Sequence, residues 1–314
     1  MLRERGLSRT PTRLLVLAGL AAVAVVLVGV LVVLRFTGDD ERLSWAPPEL
    51  VSPREVRVTK ANLGELVSLE PGRDYRLILP EAPIESTLNV IGGRNVVLIG
   101  GEVRISGEVA DAGVDRRYGI FLKDQTGTVH VEGLRIHGDD LAAGVVLDQA
   151  KGATVQLQNL RIEDVHARDN VEFTDAHPDV IQTWRGPHIL RIDRLTGTTA
   201  AVGLQFQPYE YEWQQLGTWE VRRTNLRGSR SPDLSRHLLW RNTGVPGPAG
   251  SDTWWQQRNE DLWVEPAPGR AGWVAFPSAE LWQPFRIGAP PGGDFVPKEA
   301  VGSSYASPGY RSSE

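Results

Sequence analysis

The chain has 314 residues, 41% hydrophobic and 23% charged, which excludes wholesale disorder and leaves room for one large domain or two small ones. It contains no cysteine, so disulfides, zinc-thiolate sites, iron-sulfur clusters and thiol nucleophiles are excluded. A formal net charge of -5 is not the signature of a protein that lives on nucleic acid, and nucleic acid is not expected as a partner.

The charge is unevenly spread: residues 1–36 hold five arginines against one glutamate, and everything after Phe36 is an acidic body. Residues 1–13 read as a basic cytoplasmic segment. From Leu14 to Leu34 no side chain is charged or strongly polar, which gives about 31 Å of helix at about 1.5 Å per residue, enough to span a bilayer's hydrocarbon core. Residues 14–36 are therefore expected to be a single transmembrane helix. Arg3, Arg5, Arg9 and Arg13 ahead of it favour a cytoplasmic N-terminus and an exported body. A cleaved signal peptide is the rival, but the apolar run exceeds the usual length and no A-x-A-like site follows.

Residues 37–53 read as a Pro-bearing linker, and the stretch 54–283 shows short β-branched runs between turn residues, with almost no helical periodicity. The runs superpose. One set includes NVVLIGGEVRI (95–105), TVHVEGLRI (128–136), TVQLQNLRI (154–162), HILRIDRLTG (188–197) and TWEVRRTNLRG (218–228). A second set alternates with it. Aligning Ile120, Val145, Ile181, Leu204, Leu238 and Val274 gives spacings of 25, 36, 23, 34 and 36 residues. The expected inward pairs are Ile120 and Leu122, Val145 and Leu147, Ile181 and Thr183, Leu204 and Phe206, Leu238 and Trp240, Val274 and Phe276. Helical repeats would need an i, i+3, i+4 stripe and a propeller four strands per unit. A coil of parallel strands whose extra residues bulge out as loops meets both facts. A β-sandwich would bring hairpin signals, which are few.

These residues resemble the right-handed parallel β-helix superfamily of pectate-lyase-like proteins over roughly residues 70–280. The likeness rests on the NVVLIGG opening, the repeated V-x-V-x-G/N-L-x-I strands and HPDVIQTW (177–184). It implies an all-β fold, a right-handed solenoid behind one N-terminal transmembrane helix. Leu63 to Leu69 is expected to be a short helix capping the first turn. The superfamily includes lyases, hydrolases, epimerases and noncatalytic surface proteins, so the fold alone assigns no activity.

With Ile181 and Thr183 inward, Gln182 and Trp184 point outward, and Gln205 and Gln207 take the equivalent places one turn on. Amides offer donors and acceptors to sugar hydroxyl pairs, and an indole face suits a sugar's C–H groups. Alternatively, stacked glutamines bond to one another on a solvated sheet. In PYEYEWQQ, Tyr209, Tyr211 and Trp213 alternate with Glu210 and Glu212 and would present three rings on one face of an extended segment, as a groove wall or as a flap packed on the coil.

The long loop before Ile181 carries His177 and Asp179 at the strand entry, a titratable pair beside the strip, with Arg185 near for charge stabilisation. The same two side chains would equally serve to turn the loop's own backbone. The acidic spacing matches no dedicated calcium motif, so no metal is assigned, and no cofactor is expected. Two functions follow. One is a membrane-tethered extracellular module that binds polysaccharide or cell-wall glycan. The other is a polysaccharide lyase or glycoside hydrolase that uses His177 and Asp179. Neither the paired aspartates of polygalacturonases nor the calcium-carboxylate cluster of pectate lyases is present. Residues 284–314, rich in Pro, Gly and Ser, are expected to be a disordered tail.

Overall fold

The computed structural model describes residues 41–107, 117–166, 178–207, 217–229, 237–241, 256–269, 272 and 274–311. The segment 14–36 lies outside them; no helix among the described residues is long and apolar enough to cross a membrane. The chain divides into two compact units. In the smaller, Leu43 and Tyr310 form a parallel bridge, with Leu43 N–H donating to the Gly309 carbonyl.

The larger unit, residues 45–307, is almost entirely β. Its strands run in chain order as β1 (Arg54–Arg57), β2 (Tyr75–Ile78), β3 (Leu88–Ile91), β4 (Val96–Ile99), β5 (Glu102–Arg104) and β6 (Tyr118–Lys123). Then come β7 (Thr128–Glu132), β8 (Arg135–His137), β9 (Ala143–Asp148), β10 (Thr154–Val165), β11 (Asp179–Arg185) and β12 (Ile189–Thr199). The last are β13 (Val202–Phe206), β14 (Thr218–Gly228), β15 (Leu239–Arg241), β16 (Gln256–Glu265), β17 (Ala275–Phe276) and β18 (Arg286–Ile287).

Among the described residues all strand pairings are parallel. Sheet 1 has the order β1-β2-β4-β7-β10-β12-β14-β16-β18, with β5 beside β8 and β8 beside β10; sheet 2 has the order β3-β6-β9-β11-β13-β15-β17. From β2 onward the chain thus visits the two sheets alternately, and strands pair with their equivalents from neighbouring circuits. Alternating β-branched residues suit this arrangement because one face of every strand enters a common core. That core stacks Ile120, Val145, Ile181 and Leu204 from sheet 2 against Val129, Val155, Ile192 and Val221 from sheet 1. Burying each such side chain contributes about 1.5–3 kcal/mol. At the C-terminal end Phe206 meets Trp219 edge-on at 5.0 Å and Trp282 at 5.3 Å. At the other end the 3-10 helix Leu63–Ser68 packs beside β3, with Leu66 fully buried.

In sheet 1 a left-handed residue divides each long strand into two arms: Asn159 in β10, Arg194 in β12, Arg223 in β14 and Asp261 in β16, with Gly133 in the equivalent place between β7 and β8. Only one residue turns this corner. Asp193 and Arg223 sit together there, Arg223 Nε donating to Asp193 Oδ1 at 2.8 Å, both side chains buried.

Two expectations need correction. The inward column slips by one after β13: Leu204 pairs with Leu239 and Leu239 with Ala275, so Trp240 and Phe276 face outward. The cause is local. Gly203 N–H and Leu204 N–H both donate to the Leu238 carbonyl, the two-on-one pattern of a bulge. Second, residues 284–307, expected to be disordered, run back along sheet 1 as a strap. Asn225 Oδ1 accepts from Phe295 N at 3.1 Å, Asn225 Nδ2 donates to Asp294 at 2.9 Å, and Thr196 Oγ1 accepts from Val296 N at 3.0 Å. Arg161 adds an ion pair to Asp294 at 3.0 Å and donates to the Val296 carbonyl at 2.6 Å. Farther along, Gly302 exchanges backbone hydrogen bonds with Gly101 and Gly133, and Tyr305 Oη donates to Glu132 at 2.6 Å. These bonds order the segment without apolar periodicity because side chains of sheet 1 supply the partners its backbone needs.

Candidate functional site

The register of sheet 2 sorts its residues by face. Ile120, Val145, Ile181 and Leu204 share an inward column, so Phe121, Val146, Gln182 and Gln205 share the next column on the opposite face. Consistent with this, Tyr118, Ala143 and Val146 form a cluster apart from the core, and Phe121 and Trp184 pack on it. The Trp184 ring meets Tyr118 edge-on at 6.4 Å and Phe121 at 5.5 Å. It is half-buried, so part of the indole is committed to this outer cluster.

Asp179 opens β11 on the same outward face. Gln182 and Gln205 are direct neighbours across β11 and β13. With the Gln205 amide oriented so that nitrogen meets the carboxylate, it reaches both Asp179 oxygens at 2.8 Å and its oxygen accepts from Gln207 Nε2 at 2.5 Å. Gln207 N–H also donates to Thr183 Oγ1 at 2.8 Å. The structure therefore brings Asp179, Gln205 and Gln207 into one hydrogen-bonded row beside Gln182. Asp179 and Gln205 are 0% exposed and Gln182 7%, so these three are enclosed, while Gln207 and Trp184 keep partial access to solvent. Burial pushes the Asp179 carboxyl well above the ordinary carboxylate range. His177, Tyr209, Tyr211 and Trp213 lie outside the described residues, so the expected His177–Asp179 pair and aromatic wall lie there too.

Arg185 takes a role that sequence reasoning missed. Lys123, Asp148 and Arg185 align across β6, β9 and β11. Arg185 grips the Asp148 carboxylate with two nitrogens, Nη2 at 2.7 Å, and Lys123 Nζ stands 3.2 Å away. Burial raises the Asp148 pKa, but the hydrogen bonds from Arg185 and Lys123 outweigh it and leave this carboxyl below its ordinary value. The two carboxyls of sheet 2's outer face are thus driven apart: Asp179 toward the protonated acid, Asp148 toward the fixed anion. The sequence signal of the Lys123–Asp148–Arg185 group was the recurrence of charge at the end of successive sheet 2 runs, legible only once the register is known. Among the described residues no three acidic or histidine side chains converge to hold a metal ion.

The connections entering and leaving sheet 2 are where chain length varies: long segments join β5 to β6, β10 to β11, β13 to β14 and β15 to β16. Long connections next to a rigid sheet are where binding residues commonly sit. No family model, curated protein or solved structure matches the chain.

Proposed function

We propose that the chain is a membrane-tethered extracellular protein whose two parallel sheets are wound as a right-handed β-helix, and that it binds polysaccharide on the outer face of sheet 2. The apolar run 14–34 behind four arginines supports the tether, and the alternating visits to two parallel sheets support the solenoid. One observation carries the binding reading. The row Asp179–Gln205–Gln207 ends in a partly exposed amide held at its backbone by Thr183 and at its side chain by Gln205. A buried acid and a buried amide thereby orient Gln207, and the half-buried indole of Trp184 stands on the same outer face of sheet 2. An oriented amide on the same sheet face as an aromatic ring offers a sugar its hydrogen-bond partners without an ordering cost at the moment of binding.

A second reading, a lyase or hydrolase that uses His177 and Asp179, has one observation in its favour: a carboxyl pushed up by burial retains a proton, as a general acid must. The full enclosure of Asp179 weighs against it, since a catalytic acid has to reach the glycosidic oxygen.

The test uses the full chain in detergent micelles against pectin, alginate, peptidoglycan, dextran and chitin, measuring both retention and product release. Retention without product, lost in Trp184→Ala and Gln207→Ala, supports the binding reading. Product release that Asp179→Asn abolishes replaces it with the enzyme. No retention of any polymer overturns both.

A further inference from the structure

A cleft beside the other sheet bears on neither of those readings. On the outward face of sheet 1 the register places Arg76, Val97, His130 and Gln156 in one column, and Ile99, Glu132 and Gln158 in the next. The face is apolar at β4 and becomes polar from β7 onward. Beside the apolar end lies a cleft of about 190 Å³. At roughly 30 Å³ per water it has room for about six waters, the scale of a single ring rather than an oligomer.

The floor of the cleft is Val97, buried, and Ile99, which is 43% exposed. Leu79 and Pro80 make one wall. Tyr305, delivered by the C-terminal strap, supplies an aromatic wall. Its ring lies so close to Gly133 that an added Cβ there would stand 2.1 Å from it. Its hydroxyl donates to Glu132 Oε1 at 2.6 Å, and Glu132 Oε2 is in turn 2.8 Å from His130 Nε2, both of these side chains fully buried. The aromatic wall is therefore fixed from behind. Arg76, Glu81 and Ser303 form the rim, all exposed, with Arg76 Nη1 3.4 Å from Glu55.

We propose that this cleft binds one neutral pyranose ring, its C–H face against Ile99 and Tyr305 and its hydroxyls toward Arg76, Glu81 and Ser303. An apolar floor, a rigid aromatic wall and a few convergent polar groups are the usual constitution of a small-molecule site. The rim's one cation, Arg76, is paired with Glu55, and Glu81 adds a carboxylate to the rim, which disfavours a uronate or sulfated sugar and selects the neutral class.

Saturation-transfer NMR on the full chain in micelles tests this, with methyl glucoside, methyl galactoside, methyl mannoside and N-acetylglucosamine as probes and glucuronate as the charged comparison. A neutral probe should bind in the millimolar range, as expected for so small a contact. Ile99→Trp, which fills the cleft from an exposed position, should weaken it by about tenfold or more at an unchanged melting temperature. Ser303→Trp should block it from the rim, which covers the case of an unstable Ile99 variant. Gln207→Ala, on sheet 2, should leave it unchanged, so this site and the polysaccharide face fail separately. Absence of transfer to every neutral probe, preference for glucuronate, or binding indifferent to both tryptophan variants would overturn the proposal.

Discussion

Replacing Asn225 with alanine isolates the attachment of the strap. Asn225 sits in β14, 4% exposed, and makes three hydrogen bonds: its oxygen accepts from Phe295 N–H and from Thr196 Oγ1, and its nitrogen donates to Asp294. Two of these bonds, to Phe295 and Asp294, reach the strap, and at about 1 kcal/mol net for each their loss costs the docked segment about 2 kcal/mol. Since 1.4 kcal/mol is a factor of ten, the equilibrium for local release should rise by about 30-fold. Lys298 lies in the released stretch with an exposed side chain, but a protease needs the backbone around it free. When reclosing outpaces cleavage, the rate of cutting follows that release equilibrium. Trypsin should therefore cut after Lys298 about 30-fold faster in Asn225→Ala than in the parent chain, with circular dichroism of the sheets unchanged. Arg161→Ala, which removes the ion pair to Asp294 and the bond to the Val296 carbonyl, should act in the same direction. Cleavage accelerated by less than about threefold, within the error of the hydrogen-bond estimate, would refute the argument that these side chains hold the strap.

Gly133→Ala places a methyl group 2.1 Å from the Tyr305 ring at a backbone φ of +70°, so it should cost at least about 1–2 kcal/mol and lower the melting temperature, whereas Gly152→Ala, also at positive φ but with His188 3.9 Å away, should cost only the backbone part. Asp179 gives a pH dependence of defined sign. Its folded pKa lies above the ordinary 3.8, so the folded state holds the proton more tightly, and the stability linked to it is complete below about pH 3.8 and lost as pH rises toward the folded value. Asp179→Asn should therefore raise the urea midpoint at pH 7 and leave it nearly unchanged at pH 3.5; a parent chain more stable than the variant at pH 7 would contradict this. Trp282→Ala should cost about 3–5 kcal/mol in chemical denaturation, because the fully buried indole fills the C-terminal end against Phe206.

The parallel arrangement was legible because alternation and superposable runs such as TVHVEGLRI and TVQLQNLRI reflect stacked columns directly; Thr128 to Glu132 indeed pair one to one with Thr154 to Gln158. The same logic put Gln182 beside Gln205, and they are neighbours. It could not show that Asp179 would claim Gln205, since that contact joins different columns. Alternation also failed after β13, where a backbone irregularity at Gly203 and Leu204 moves the column without changing the composition of the runs. The strap was invisible for a different reason. Its partners Thr196 and Asn225 act through single polar atoms 100 and 70 residues away, and such pairings leave no periodic trace.

The one-residue corner of sheet 1 restricts how this architecture can be altered. An amino acid added beside Asn159, Arg194 or Arg223 would shift one arm by a single position, turning every side chain beyond it to the opposite face relative to the circuits on both sides. Evolutionary tinkering and protein engineering alike are steered to the other flank, where length between β10 and β11 or between β15 and β16 is absorbed without disturbing the ladder. Grafted peptides should be tolerated there and rejected at the corner, so recognition surfaces made by insertion can accumulate along the two edges of sheet 2.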